Sequence, residues 1–237
     1  MADPGVEYLR IREQVAAACE KLTRDPQEVT IVLVVKNQPA DKIRQVIQAG
    51  AVHLAQNYPE RLNQLFDEIP EAKTLTWHMI GHCQRRKAGL VVRDFSWMHS
   101  LDSLALAERL SFLALTARKV LPVMLEVNLS GEASKGGFSA TSAEDKEQFM
   151  TVIDTIRALP GLDLGGLMTM PPITSNPEGS RSIFRQLKQL QQEINQITGT
   201  ELIPWLSMGT SQDYNVAIEE GSTHVRLGTC VFGERKL

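Results

Sequence analysis

Thr30-Ile31-Val32-Leu33-Val34-Val35-Lys36-Asn37-Gln38-Pro39 is the stretch on which the fold turns. Its apolar part is short, rich in branched residues and followed by the turn-forming pair Asn37 and Pro39, the pattern of a buried strand. Lys36 therefore stands at the carboxyl end of that strand. In parallel α/β proteins the loops leaving the carboxyl ends form the mouth of the crevice or barrel, and ligands gather there. An amine held against apolar walls loses solvation, which disfavours its ammonium form and frees it to attack a carbonyl, giving a Schiff base. The competing role for Lys36 is a surface lysine that opens a loop, the usual situation for this residue type.

At 237 residues and 26.4 kDa the chain has room for one α/β barrel or two small domains. Hydrophobic residues make up 43% and charged residues 22%, an ordinary globular balance. A formal net charge of −3 offers nothing to attract nucleic acid, and no DNA- or RNA-binding motif is present. Cys19, Cys83 and Cys230 are odd in number, far apart and never arranged as CxxC, so neither a disulfide framework nor a zinc ribbon is indicated. The N-terminus Met1-Ala2-Asp3-Pro4-Gly5 lacks a basic region before an apolar stretch, and no segment approaches a membrane span. The expectation is a soluble protein of the reducing cytoplasm.

After a helical N-terminal segment near residues 5–23, strand-like and helix-like stretches alternate. Strands are expected at 29–35, 51–55, 76–80, 96–100, 121–128, 162–168, 203–207 and 223–227. Amphipathic helices are expected near 39–49, 58–67, 83–92, 103–117, 142–158, 181–198 and 213–220. The clearest is 181–198, where Phe184, Leu187, Leu190, Ile194 and Ile197 recur at spacings of three and four. Gly50 and Gly221 read as helix stops and Asp213 as an N-cap. Eight strands on this beat predict a (β/α)8 TIM barrel, with an open doubly wound sheet as runner-up. No Pro/Gly/Ser-rich linker divides the chain, so residues 1–237 read as a single domain; Pro171 to Pro177 is its loosest loop.

Two late loops carry a second signal: Leu206-Ser207-Met208-Gly209-Thr210-Ser211-Gln212-Asp213 and Val225-Arg226-Leu227-Gly228-Thr229. Both set hydroxyls and backbone N–H groups beside a glycine at a strand end, and barrel enzymes often hold phosphate after strands seven and eight. Taken alone, either loop is also explained as a turn whose side chains satisfy its own backbone. A phosphate site and an amine at one barrel mouth would suit a phosphorylated aldehyde. Other features lead nowhere. His78 and His82 have HxxxH spacing but Met79 replaces the glutamate a zincin needs, and no metal is expected. Gly131 to Gly137 lacks the GK[ST] ending of a P-loop and reads as a loop after the fifth strand. Glu219-Glu220 and Arg85-Arg86-Lys87 read as solvated faces.

The motifs together become specific. Lys36, Asn57-Tyr58, Trp77-His78-Met79-Ile80-Gly81-His82-Cys83-Gln84, Met98-His99-Ser100-Leu101-Asp102, Val127 to Glu132 with Lys135-Gly136-Gly137-Phe138, Gly166-Leu167-Met168, Leu206 to Gly209 and Phe232-Gly233-Glu234-Arg235 occur in order over nearly the whole chain. In this the chain resembles the pyridoxal-phosphate homeostasis protein family. That family is similar in fold to the N-terminal barrel domain of alanine racemase and is associated with vitamin B6 balance. The resemblance implies pyridoxal 5′-phosphate as cofactor and no catalytic residue. It implies Lys36 as the Schiff-base lysine, Asn57 beside the ring, and Ser207, Gly228 and Thr229 around the phosphate. Arg226 matches the partner of the pyridine nitrogen. A permanently charged guanidinium there disfavours ring protonation and makes the ring a poorer electron sink; from the residues alone Arg226 could equally bind phosphate or form a barrel-end salt bridge. The chain departs from the family pattern at Ala55-Gln56, where Gly-Glu is common, at Val35 in place of Ser, and at Thr210 in place of Met.

The resemblance implies a carrier in pyridoxal phosphate and amino-acid homeostasis, with pyridoxal-phosphate-dependent apoenzymes as possible recipients, and a single domain of this size is expected to be a monomer. The rival reading is a pyridoxal-phosphate-dependent amino-acid racemase or another weak enzyme of that class. Against it stands the end of the sequence soon after Gly228, without the second domain that supplies a racemase base. A Schiff-base aldolase is a further rival and would purify without a chromophore.

Overall fold

The computed structural model describes residues 3–132, 136–172 and 174–233. Lys135 of the glycine-rich run, Ile173 of the proline-rich loop and Glu234-Arg235 of the last motif lie outside the described residues. The strands are β1 (Thr30–Val34), β2 (His53–Gln56), β3 (Thr76–Met79), β4 (Trp97–Leu101), β5 (Leu121–Asn128), β6 (Phe138–Ser139), β7 (Leu162–Met168), β8 (Trp205–Thr210) and β9 (His224–Leu227). Every pairing is parallel. The sheet order β4-β3-β2-β1-β9-β8-β7-β5 closes through β4 on β5, and the two-residue β6 adds to β5 outside the ring. This is the predicted eight-stranded parallel barrel. The sequence pattern held no sign of β6, because two residues carry no periodicity.

The helices are α1 (Pro4–Glu20), α2 (Ala40–Gln48), α3 (Arg61–Glu68), α4 (Ala88–Asp94), α5 (Leu104–Thr116), α6 (Ala143–Arg157), α7 (Arg181–Thr198), α8 (Tyr214–Glu219) and α9 (Thr229–Phe232). Their apolar stripes join the strands in one buried core, which includes Leu33, Val35, Leu54, Trp77 and Leu206 of the strands and their ends and Ile43, Val46, Leu62, Phe184 and Leu187 of the helices. Asp3 caps α1 by accepting from the Gly5 and Val6 N–H groups. The helix then packs on α2, α8 and α9 and covers the seam where β9 meets β1. The final α9, four residues long, is too short for that task. Asp213 does occupy the N-cap position of α8, but its carboxylate accepts from the Thr210 N–H and hydroxyl rather than from the helix. Glu219 is exposed as expected, paired with Arg181, whereas Glu220 departs from the solvated-face expectation: Arg181 and Arg185 both pair with its side chain, which is 13% exposed.

Inside the barrel, alternate residues of the strands point to the axis, and there the sequence is polar and aromatic. His53, Trp97, Trp205 and His224 begin their strands; near that amino-terminal end the Trp97 ring meets Trp205 at 4.7 Å, edge to face, and His224 at 5.7 Å, while His53 lies against His78 at 5.2 Å. A β-carbon on Gly165 would lie 2.1 Å from the Trp205 ring, so glycine in β7 is what admits the indole. The amino-terminal end is thus plugged by rings. Its opposite end holds the loops.

Candidate functional site

Lys36 follows β1 in a tight turn in which the Gln38 N–H donates to the Val35 carbonyl at 3.1 Å. Asn37 takes φ +59°, the left-handed value that the third position of a type II turn demands and that asparagine tolerates. Lys36 is half-buried in this turn, two residues past the carboxyl end of β1. Asn57 follows β2. Gly81 presses against its backbone, since a β-carbon there would come within 2.5 Å of the Asn57 carbonyl oxygen. The Asn57 Oδ1 atom is buried and has no hydrogen-bond partner. An unpaired buried acceptor costs about 1–3 kcal/mol, so it marks a place prepared for a donor.

On β8 and β9 the two glycine-containing runs separate into different roles. Between Ser207 and Thr210 the ladder shifts register, three steps on β8 opposing two from His224 to Arg226. Gly209 carries this bulge at φ +95°. Its missing β-carbon would meet the Ala217 side chain at 2.5 Å. Before the bulge, Ser207 points into the barrel, where its hydroxyl contacts His99 Nδ1 at 2.8 Å and accepts from Arg226 Nη1 at 2.6 Å. After it, the Ser211 hydroxyl accepts from the Gly228 N–H at 3.0 Å and the Cys230 N–H at 3.3 Å. Two backbone donors thus converge on one oxygen at the entry to α9, with Thr229 exposed beside them. A phosphate oxygen asks for the same donors. Ser211 lies in the run quoted from the sequence, yet nothing in the pattern separated it from Ser207.

Arg226 is buried, 5% exposed, and its guanidinium also donates from Nη2 to the Thr169 carbonyl at 2.9 Å and the Met170 sulfur at 2.8 Å. Burial pushes it down to about 10, while Glu126 and Asp213 pull it back up, and it stays cationic at neutral pH. Glu126 on β5 is held above the usual carboxylate range by burial and by Asp102, against the pull of Arg226 and His82. His82 does not share a site with His78: its Nδ1 pairs with Asp102 Oδ2 at 2.6 Å on the mouth, while His78 is inside the barrel. No group of three or more His, Cys, Asp or Glu among the described residues is arranged to hold a metal ion.

A cleft of about 530 Å³ opens over the ends of β5 and β7, lined by Glu126, Asn128, Glu132 and Met170 among others, with none of Lys36, Asn57, Ser207, Arg226, Gly228 and Thr229 in its lining. This volume is within the range of small-molecule sites. A similar cleft of about 570 Å³ lies along α1 and Pro26 to Ile31, away from the strand ends. The mouth is the chemically equipped one. In the order β2-β1-β9-β8, four neighbouring strands carry Asn57, Lys36, the group Arg226, Gly228 and Thr229, and Ser207. Residues up to 193 positions apart in the sequence, Lys36 to Thr229, so leave one half of the barrel's strands. A β-carbon on Gly228 would point at Val34, 3.6 Å away, and narrow the space between β9 and β1. An amine, an unpaired amide oxygen, paired N–H donors and a buried cation fit a phosphorylated aldehyde with a heteroaromatic ring.

A closed parallel barrel with its polar equipment on the carboxyl rim defines a class of small-molecule-binding α/β barrels. Residues 7–236 match the family described as "Alanine racemase, N-terminal domain". The pyridoxal phosphate homeostasis protein of Vibrio cholerae is 37% identical over 228 residues, covering 95% of this chain and 93% of the relative. That of Aquifex aeolicus is 35% identical over 227 residues, covering 96% of each. The solved structure of PipY from Synechococcus elongatus PCC7942 with pyridoxal phosphate bound superposes with a TM-score of 0.80 at 31% identity, covering 92% of this chain and all of that one. The chain belongs to the alanine racemase N-terminal domain family and, within it, to the pyridoxal phosphate homeostasis proteins.

Proposed function

We propose that this protein is a single-domain, monomeric carrier that holds pyridoxal 5′-phosphate as a Schiff base on Lys36 and serves intracellular cofactor and amino-acid balance without robust turnover. The observation that supports it most is the gathering of Lys36, Asn57, Gly228 and Arg226 at the ends of three adjacent strands, β2, β1 and β9. When bound, the cofactor supplies an aldehyde for amines and a ring that withdraws electrons. Lys36 offers the amine. The Gly228 and Cys230 N–H groups, which donate to the Ser211 hydroxyl, would hold a phosphate oxygen, with Thr229 beside them, and Asn57 Oδ1 would accept a hydrogen bond from the ring side. Arg226 keeps its charge toward the ring nitrogen, which opposes protonation there and weakens carbanion stabilisation. Ser207 acts through Arg226. The setting is the cytoplasm, and apoenzymes that require the cofactor are its recipients; among the described residues no helix is long and apolar enough to cross a membrane.

One observation favours an enzyme instead. His82 oriented by Asp102, with Glu126 nearby, is an acid–base set at the mouth. Borohydride reduction followed by peptide mapping tests the carrier: the label belongs on Lys36, and a label on another lysine refutes the assignment. Incubation with L-alanine in deuterated water separates the two readings. Amine exchange with negligible Cα deuteration supports a carrier, whereas rapid deuteration with D-alanine formation establishes a racemase.

A further inference from the structure

Behind Arg226, side chains from five strands form one hydrogen-bonded chain along the barrel interior. His53 Nδ1 lies 3.0 Å from His78 Nε2, His78 Nδ1 lies 2.9 Å from His99 Nε2, and His99 Nδ1 lies 2.8 Å from the Ser207 oxygen, which accepts from Arg226 at 2.6 Å. We propose that His53, His78, His99 and Ser207 are positioning residues forming a tautomer-locked relay that ties Arg226 to the amino-terminal face of the barrel. The link to the cofactor rests on the reading above, in which Arg226 faces the ring.

Donor counting sets the direction of the relay. A guanidinium only donates, so Ser207 must accept from Arg226. The hydroxyl of Ser207, which is fully buried, then sends its own hydrogen to His99 Nδ1. His99 is therefore protonated on Nε2 and donates to His78 Nδ1. By the same step His78 is protonated on Nε2 and donates to His53 Nδ1, leaving His53 with its proton on Nε2. All three rings share one tautomer. Each bond presents its negative end toward Arg226, which offsets part of the cost of burying the cation. Burial holds His78 and His99 well below the ordinary imidazole range, so both rings are neutral, as a one-way chain requires.

His53 is half-buried at the start of β2, while His78 and His99 are fully buried. Solvent protons therefore enter at His53. A proton added there makes both ring nitrogens donors, so His53 no longer accepts from His78. That bond alone is lost, and His78, His99 and Ser207 keep their tautomers and direction. One proton is taken up from solvent and none is released. Uptake at His53 is opposed by its burial; the charged and titratable groups around the relay are His224 and, at its far end, Arg226, whose guanidinium Glu126 and Asp213 partly balance.

The test is imidazole ¹⁵N NMR of histidine-labelled protein near neutral pH, before and after addition of pyridoxal phosphate. His53, His78 and His99 should each show an unprotonated Nδ1 and a protonated Nε2; mixed or alternating tautomers overturn the relay. Ser207→Ala removes the lock, and the expected result is tautomer mixing at His99, His78 and also His53. A change confined to His99 reduces Ser207 to a local packing role and refutes the coupling. His53→Phe, at the accessible end, should keep the His99 tautomer because the lock lies at Arg226; loss of it reverses the assigned direction. Added pyridoxal phosphate should shift the His99 Nδ1 resonance. If it binds without that shift while the tautomers remain uniform, the relay stands and its tie to the cofactor is overturned.

Discussion

Lys36 and Gly228 leave neighbouring strands and test separate halves of the site. Lys36→Ala should fold normally, because the residue is half-buried on the rim and contributes little to the core. The borohydride label and the chromophore should be lost, with an unchanged far-UV circular dichroism spectrum as the control for folding. Gly228→Ala probes space rather than chemistry. With φ at −132° and Val34 at 3.6 Å, a methyl group fits the protein alone. It narrows the gap through which the phosphate end must approach, so cofactor retention should weaken by about tenfold or more, roughly 1.4 kcal/mol. Equal affinities of variant and wild type in equilibrium dialysis would place the cofactor away from the β1–β9 gap. Lys36 and Gly228 were legible in the sequence because strand ends are. Ser211 was not, since the pattern does not say which of two nearby serines a bulge will turn inward.

At the scale of elements, β7 and β8 depend on one another through an aromatic contact. Trp205 begins β8, and its ring lies across Gly165 of β7, where no other residue leaves room. Gly165→Ala should cost about 1–3 kcal/mol, the usual penalty of overpacking an interior, read as a lower urea midpoint with an unchanged slope. Unaltered stability would mean that the indole has another place to go. The strand expected at 203–207 runs instead as Trp205–Thr210. Ile203 looks like a strand residue, but its N–H and carbonyl bond the side chains of Asn195 and Gln191 on α7, which takes it out of the ladder. At the other end the bulge at Gly209 lets pairing continue into a run whose glycine and hydroxyls read as a loop.

For the molecule as a whole, the buried imidazoles make acid the main threat to stability. Burial holds His224 at about 3, against 6.5 for an exposed imidazole, and lowers His53, His78 and His99 as well. Between those values the unfolded chain binds protons that the folded one refuses. Stability is therefore fully present above about pH 6.5 and falls as pH drops toward 3. Each such group steepens the loss by up to about 1.4 kcal/mol per pH unit. Chemical denaturation at several pH values should show this decline, and His224→Phe should make it shallower by about one proton's worth. An identical slope would show that His224 is as readily protonated in the folded protein as in the unfolded one. By itself the sequence determined the barrel, because runs such as Thr30 to Val35 bury both faces and must alternate with amphipathic helices. It determined too that Lys36, Asn57, Arg226 and Gly228 fall at strand ends, a matter of local pattern. Only the tertiary structure decided which of these ends are neighbours, through closure of β9 on β1. It alone brought together His78 and His99, 21 residues apart, and His99 and Ser207, 108 apart. Such contacts follow from strand order and inward alternation around a closed ring, which no local spacing encodes.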